Sequence, residues 1–283
     1  MQHQSLFVFD IETVPDTDAV PNLLGPEKME TVGPDIETRR AALEQYHLDA
    51  TDGKNAFPRQ PFHRVVAVSF LAAEIEREGR FETYYLKELR SGGAENSPER
   101  DLVGGFYQYI DKQRPRLVSY NGRGFDLPVL RHRAMVCGVT AGVFHDTTNK
   151  WDNYTSRYAL DWHCDLQEAL TDFGAASRGL KLNEVCSVLG FPGKFGVDGS
   201  QVAPMYDAGK VGEIRDYCET DVLNTYLVYL RYQLTRGQIS KDGYNRAVAD
   251  VISLIEAETA ERPHLGAFLD AWGESSKNEF MLD

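Results

Sequence analysis

Two acidic residues, Asp10 and Glu12, lie at and just after the end of residues 5–10, a short apolar segment that predicts a buried strand. Side chains alternate along a strand, so both carboxylates are expected on one face. Neighbouring carboxylates oppose each other's ionisation, and a divalent cation removes that penalty. Oxygen ligands of this kind suit Mg²⁺ or Mn²⁺. Taken alone, such a pair more often marks a strand end in contact with solvent.

A third acid follows a glycine-rich turn in the middle of the chain. Residues 117–120 predict a buried strand and residues 126–137 a helix, with Asn121 and Phe125 in the turn and Asp126 at the helix start. The two glycines in this turn let a backbone approach a nucleotide closely. The ring of Phe125 is suited to stacking on a base. The alternatives are a helix N-cap for Asp126 and a core position for Phe125.

A fourth acid belongs to a long helix predicted from about 209 to 234. Tyr217 and Asp221 are four positions apart, so they share one face of that helix. A tyrosine hydroxyl beside a carboxylate can orient a water held on a metal. By itself this spacing favours a surface hydrogen bond. The order of the three motifs and the elements that carry them together predict one shared acidic site.

The predicted elements indicate an α/β fold, a mixed β-sheet flanked by helices. Residues 16–62, rich in proline, glycine and charge, form an insertion between the first two strands, with one helix at 35–48. We expect residues 1–235 to form one domain and residues 236–283 a helical C-terminal extension packed on it. The other predicted elements are strands at 65–75 and 81–87, helices at 98–113, 165–173 and 180–189, and two helices within 241–272.

The charge of the chain limits how it can bind nucleic acid. The net charge of −13 argues against a long electrostatic footprint on DNA or RNA, but not against a short one. Residues 112–133 contain six basic residues and one acid, Asp126. No apolar segment is long enough to cross a bilayer, so we expect a cytoplasmic protein. The four scattered cysteines predict free, buried thiols.

The three motifs together resemble the DEDD superfamily of 3′–5′ exonucleases, in the subgroup with tyrosine in the third motif. The resemblance extends over about residues 5–232 and is carried mainly by residues 125–130 and 216–223. It is nearest to the exonuclease domain of family-B DNA polymerases and to a stand-alone bacterial group of predicted exonucleases. The fold that this resemblance implies is ribonuclease-H-like.

The resemblance also implies roles for individual residues. Two ions of Mg²⁺ or Mn²⁺ would be held by the four acids, with Asp10 bridging both. Tyr217 would orient the attacking water, and Asn121 and the backbone of Thr13 would contact the terminal nucleotide. The implied activity is hydrolysis at the 3′ end of single-stranded DNA or RNA, with release of nucleoside 5′-monophosphates. The ligands carried over from the motifs are Asp10, Glu12, Asp126 and Asp221.

Two competing functions belong to other classes. One is a non-catalytic nucleic-acid-binding module that retains the exonuclease fold, although a decayed site is expected to have lost one of its four acids. The other is an interaction protein, as a homodimer or within a repair or RNA-processing complex. The acidic surface and the helical C-terminal extension are compatible with the latter.

Several residues near the motifs have simpler interpretations. Asp165 is expected to cap a helix rather than to line a substrate channel. Lys181 and Lys194 flank a glycine-rich loop and either contact phosphate or are solvated. His163 and Cys164 are adjacent in the chain, so on a strand they face apart and do not predict a zinc site.

Overall fold

The computed structural model describes residues 3–194, 196 and 198–283, and its strands form one mixed five-stranded sheet in the order β3-β2-β1-β4-β5. Strands β1 to β3 pair antiparallel, whereas β4 is parallel to β1 and β5 is parallel to β4. The predicted α/β fold, a mixed sheet flanked by helices, is confirmed. The strands are β1 (Ser5–Pro15), β2 (His63–Glu78), β3 (Phe81–Ser91), β4 (Arg116–Ser119) and β5 (His163–Asp165).

The helices lie mostly within a few residues of their predicted positions. The short elements β5, α1, α2 and α8 were not predicted, because three to seven residues are too few to establish a period. The helices are α1 (Val20–Leu24), α2 (Pro26–Val32), α3 (Ile36–Ala50), α4 (Glu99–Gln113), α5 (Asp126–Cys137), α6 (Leu166–Leu170), α7 (Leu182–Leu189), α8 (Val202–Asp207), α9 (Val211–Thr235), α10 (Lys241–Glu258) and α11 (Pro263–Ser276).

The central strand β1 is covered on both faces, and its alternation assigns each side chain to one of them. Phe7 and Phe9 belong to a hydrophobic cluster with residues of α4 and α5. Leu6 and Val8 belong to a second cluster that includes residues of α9. Because successive side chains point to opposite faces, even-numbered residues of β1 face α9.

The first acidic pair lies within β1 and not at its end, which corrects the predicted strand boundary of residue 10. Pairing with β2 continues to Pro15, with a register shift between Glu12 and Thr13. Pairing with β4 stops at Val8, so the second half of β1 extends beyond its parallel neighbour. Asp10 is on the same face as Val8, and its carboxylate therefore points towards α9.

Helix α9 is buried on most sides because the C-terminal helices cover the face opposite the sheet. Sixteen of its 25 residues are buried. Phe268 and Trp272 of α11 and Val251 of α10 belong to the same hydrophobic cluster as Leu227 of α9. The C-terminal extension therefore shares a core with the sheet and fixes the helix that carries the third motif.

Two further expectations concern the whole chain. Within the described residues, we find no helix that combines the length and the apolar character that a bilayer crossing requires. All four cysteines are free; Cys137 is half-buried and the other three are buried.

A buried ion pair ties β4 to β3 and α9. The guanidinium of Arg116 donates to both oxygens of Glu82, at 2.6 and 2.9 Å, and to the hydroxyl of Tyr229 at 3.0 Å. Burial alone would raise the pKa of Glu82, but the hydrogen bonds and charge of Arg116 hold it at about 2. This pair fixes the start of β4, the strand that leads into the glycine-rich turn.

Replacing Arg116 should destabilise the fold strongly. Arg116→Met removes the bidentate partner of the buried Glu82 carboxylate and leaves it only Arg77, at 2.8 Å, and the hydroxyl of Tyr84. Breaking a buried ion pair costs about 3–5 kcal/mol. The pKa of Glu82 is low in the folded chain, so its contribution to stability is present above about pH 4.5 and is lost as the pH falls towards 2. Urea unfolding at pH 7 and at pH 3 measures both effects. The control is the double variant Arg116→Met with Glu82→Gln, which should recover part of the lost free energy of unfolding. An Arg116→Met variant whose free energy of unfolding stays within about 1 kcal/mol of wild type would contradict the prediction.

Candidate active site

Acidic side chains from three separate elements meet on the α9 face of β1. Asp10 and Glu12 come from β1, Asp126 from the first turn of α5 and Asp221 from α9. Burial raises the pKa of Asp10 well above its ordinary range, and the charges of the other three acids raise it further. Each ionised carboxylate thus opposes ionisation of its neighbours, as expected when like charges share a site of low polarity.

Asp126 is held by the part of β1 that extends past β4. The N–H of Ile11 donates to Oδ1 of Asp126 at 3.2 Å, so the Asp126 carboxylate replaces the acceptor that a longer β4 would provide. Burial raises the pKa of Asp126 to about 7, although the hydrogen bonds from its own N–H and from Ile11 oppose the shift. A carboxyl group of this kind is only partly ionised at neutral pH unless a cation is present.

The glycine-rich turn before α5 is fixed by Asp165. Its carboxylate accepts hydrogen bonds from the N–H groups of Asn121, at 3.0 Å, and of Arg123, at 2.8 Å. It also caps α6, as expected, so Asp165 has a positioning role that the sequence did not predict. Asn121 has a φ of +64°, and a Cβ on Gly122 would lie 2.3 Å from the hydroxyl of Ser119. The turn therefore requires glycine at that position.

On α9, Tyr217 and Asp221 share one face with the adjacent Cys218. The thiol of Cys218 lies 3.6 Å from Oδ2 of Asp10, and its sulfur and single oxygens of Asp10 and Glu12 lie within 4.8 Å of one another. Burial and the charge of Asp221 raise the pKa of Tyr217, so its hydroxyl stays protonated near neutral pH. Tyr217 can therefore orient a water by hydrogen bonding, but it does not act as a base.

Lys194 places an ammonium group against the acidic cluster. Its Nζ lies 3.3 Å from Oδ2 of Asp221 and donates to the hydroxyl of Tyr217. Burial opposes its charge, but Asp221, Asp10 and Glu12 raise its pKa overall. The sequence left Lys194 as a phosphate contact or a solvated side chain; the structure pairs it with the acids instead.

The donor set fits a divalent cation. One ammonium group balances one of four clustered carboxylates, and Oδ1 of Asp221 is buried with no hydrogen-bond partner among the described residues. A buried acceptor without a partner costs about 1–3 kcal/mol. A hard cation with oxygen ligands, such as Mg²⁺ or Mn²⁺, would satisfy this oxygen and reduce the repulsion.

A cleft of about 620 Å³ adjoins the acidic cluster at Glu12. Of the predicted substrate-binding residues, Thr13 and Phe125 line this cleft, whereas Asn121 lies in the turn beside it and outside its lining. The insertion forms one wall, and residues around α8 form the other. The lining residues are Glu12, Thr13, Pro15, Arg40, Glu44, Ala56, Phe57, Pro58, His63, Phe125, Gly199, Ser200, Ala203 and Pro204.

Sequence reasoning missed two neighbours of this site, Cys218 and His63. The hydroxyl of Thr13 lies 3.0 Å from Nδ1 of His63, whose Nε2 donates to the carbonyl oxygen of Pro58 at 2.8 Å. Cys218 adjoins Tyr217 in the chain, and helical geometry alone could have placed it near the site. His63 is separated from Thr13 by the whole insertion, so no local pattern indicated their contact.

Comparison with known families supports a nuclease relationship. The model of a family described as "Predicted 3'-5' exonuclease related to the exonuclease domain of PolB" matches residues 55–272. The match includes Asp126 and Asp221, and it begins downstream of Asp10 and Glu12. The first acidic pair is thus associated with the other acids by its place in the structure.

Similar proteins include much longer polymerases. The catalytic chain of DNA polymerase epsilon from Aspergillus fumigatus is 26% identical over 147 residues, covering 48% of this chain and 6% of that protein. The corresponding protein of Emericella nidulans gives the same values. The solved family B DNA polymerase from Pyrobaculum calidifontis is 19% identical with a TM-score of 0.47, covering 82% of this chain and 24% of the polymerase. This chain therefore spans a small part of each relative's length.

Without metal, the stability of the protein should decrease as the pH rises through 7. The pKa of Asp126 is about 7 in the folded chain against 3.8 ordinarily, so its contribution is present below about pH 4 and is lost as the pH passes 7. Asp126→Asn keeps an oxygen for the N–H of Ile11 and removes the charge, so its melting temperature in EDTA should depend less on pH. Thermal scans between pH 5 and 8 measure this, and parallel wild-type and variant curves would contradict it.

Divalent metal should stabilise the wild-type chain. Millimolar Mg²⁺ or Mn²⁺ should raise the melting temperature because bound cations relieve the repulsion among the acids. The gain in unfolding free energy is about 2.7 kcal/mol when the metal concentration is 100 times its Kd. Thermal scans with Asp221→Ala, at matched ionic strength, provide the control. An equal shift in that variant, or no shift in the wild type, would count against a metal site here.

Proposed function

Because this chain belongs to the family of predicted 3′–5′ exonucleases related to the exonuclease domain of PolB, we propose that it hydrolyses phosphodiester bonds at the 3′ end of single-stranded DNA or RNA. The products are nucleoside 5′-monophosphates. The observation that carries this proposal is the convergence of four carboxylates from β1, α5 and α9 beside a cleft, those of Glu12, Asp126 and Asp221 buried and that of Asp10 half-buried. The four free thiols support a reducing compartment such as the cytoplasm.

In this proposal the chain's own residues assemble and orient the reactants. Asp10, Glu12, Asp126 and Asp221 would hold two ions of Mg²⁺ or Mn²⁺. Held there, these ions would supply charge stabilisation for the attacking and leaving oxygens of the phosphodiester. The protonated hydroxyl of Tyr217 orients the attacking water. No covalent intermediate with the protein is required.

The cleft positions the end of the strand. The Thr13 backbone and Asn121 contact the terminal nucleotide, and Phe125 packs against its base. The cleft is walled by the insertion on one side and by α8 on the other, which supports entry of a single strand in preference to a duplex. The exonuclease domain comprises residues 1–235, and the shared hydrophobic cluster supports packing of residues 236–283 on it.

A non-catalytic binding module is not favoured by the site. Binding of a strand by stacking and charge needs no cluster of acids, and four clustered acids repel the phosphates of the ligand. Oδ1 of Asp221 has no hydrogen-bond partner in the part of the chain that the structure describes, which lowers stability and is typical of sites kept for function.

Loss of a proposed metal ligand should abolish cleavage without unfolding the chain. Asp10→Ala and Asp221→Ala should reduce release of labelled mononucleotide from a 3′-labelled single-stranded oligonucleotide by at least about 100-fold, because they remove charge stabilisation of the transition state. Tyr217→Phe should cause a smaller loss, since it removes only the hydroxyl that orients water. Single-stranded DNA, duplex DNA and RNA are compared, each with Mg²⁺ and with Mn²⁺.

The matched control is Asp270→Ala, which removes an exposed acid of α11 outside the site. Circular dichroism checks that each variant is folded. Turnover by Asp221→Ala equal to that of the Asp270→Ala control would refute the proposed function. A Tyr217→Phe variant as inactive as Asp221→Ala would show that this hydroxyl does more than orient water.

A further inference from the structure

An aromatic ring of the insertion projects into solvent at the edge of the cleft. Phe57 is 59% exposed, although its side chain is among the most apolar in the chain. It is the only large hydrophobic residue of the fully described loop 51–62 with such exposure. Leaving an aromatic ring in water forgoes the stabilisation that burial would give, so its position requires an explanation.

The loop that carries Phe57 is built to hold this ring in place. Oδ1 of Asn55 accepts the N–H of Phe57 at 2.9 Å, and the hydroxyl oxygen of Thr51 accepts the N–H of Asn55 at 3.0 Å. Two residues beyond Phe57, the N–H of Arg59 donates to Nε2 of His47 at 3.1 Å. Since His47 belongs to α3 and is buried, the loop is anchored to the body of the insertion. The exposure of Phe57 is therefore a property of a fixed loop.

Ring contacts connect Phe57 to the cleft. Its ring centroid lies 4.9 Å from that of His63 and 6.0 Å from that of Phe125, and the latter two rings meet edge to face at 4.9 Å. His63 contacts the hydroxyl of Thr13, the neighbour of Glu12. The insertion is also joined to the glycine-rich turn, because the side-chain amide of Gln60 donates to the carbonyl oxygen of Gly124 at 3.1 Å. Phe57 thus occupies the outer end of an aromatic row that begins beside the acids.

We propose that Phe57 is a base-stacking residue, which holds a base of the single strand whose 3′ end lies at the acidic cluster; this inference rests on the proposed function. Its isolation favours a base over a protein partner, because a stable protein interface needs a larger apolar patch than one ring. The same loop carries exposed Lys54 and Arg59, which provide positive charge for phosphates in an otherwise acidic protein. Stacking uses the flat face common to all bases, so Phe57 contributes affinity with little sequence preference.

The role of Phe57 is separable from catalysis. Its ring lies outside the acidic cluster, so removing it should weaken strand binding and leave the chemical step unchanged. Loss of a stacked base typically weakens binding about 5- to 150-fold. We therefore expect Phe57→Ala to raise KM and Kd at least about fivefold, with kcat within about twofold of wild type, as is typical when uniform binding is lost. Phe57→Trp retains a ring and should stay close to wild type.

The experiment combines these variants with oligonucleotides that lack single bases. Binding of fluorescent single-stranded DNA with a phosphorothioate at its last linkage is measured by anisotropy, with an abasic site placed in turn at each of the last five positions. For wild type, one position should weaken binding most when its base is removed. In Phe57→Ala that same position should cost nothing further, because the stacking partner is already absent. Trp151→Ala, which removes an exposed ring elsewhere, is the matched control.

The outcomes separate this inference from the proposed function. If wild type releases no mononucleotide, the exonuclease proposal fails, and the binding data still decide whether Phe57 stacks on a base. If wild type cleaves, but Phe57→Ala binds as tightly as Trp151→Ala, or responds to abasic sites as wild type does, the stacking role is overturned alone. Rescue by Phe57→Trp, together with loss of the abasic-site effect in Phe57→Ala, supports it.

Discussion

The mutual repulsion of four clustered carboxylates has to be balanced by the rest of the fold. Their charges oppose one another across β1, α5 and α9, and burial raises the cost of ionising each of them. Within the chain, Lys194 offsets part of this repulsion at Asp221. The repulsion that remains does not separate the acids, because the elements that hold them are rigid. These elements are the central strand between two hydrophobic clusters and a long helix covered on both sides.

The same rigidity determines what the site can do chemically. An acid on a flexible loop could move away from its neighbours, whereas Asp10 on a central strand and Asp221 in the middle of a buried helix cannot. Asp126 is held by the N–H of Ile11, and its turn is held by Asp165. Such preorganisation lowers the stability of the metal-free chain and favours tight cation binding, the balance expected where function requires a strained, charged arrangement.

The features predicted from sequence were those that depend on local geometry. Strand alternation put Asp10 and Glu12 on one face, and helical spacing put Tyr217 and Asp221 on one face; both hold in the structure. The predicted end of β1 was wrong because pairing with β2 continues past the end of β4, and no local signal reports how far a partner strand extends. The contact of Lys194 with the acids and that of His63 with Thr13 depend on tertiary packing.

The insertion of residues 16–62 changes the shape of the site more than its chemistry. It contributes no acid to the cluster, but it supplies one wall of the cleft, and its Arg40 forms a paired hydrogen bond with Asp207 of α8 at 2.9 and 3.2 Å. Exposed ion pairs of this kind contribute at most about 1 kcal/mol to stability, so this ion pair holds the two walls together only weakly. The shape of the cleft therefore depends mainly on the hydrogen-bonded loop around Phe57 and on the contact of Gln60 with the glycine-rich turn. That turn also leads into Asp126, so the insertion contacts the segment that positions one acid of the site.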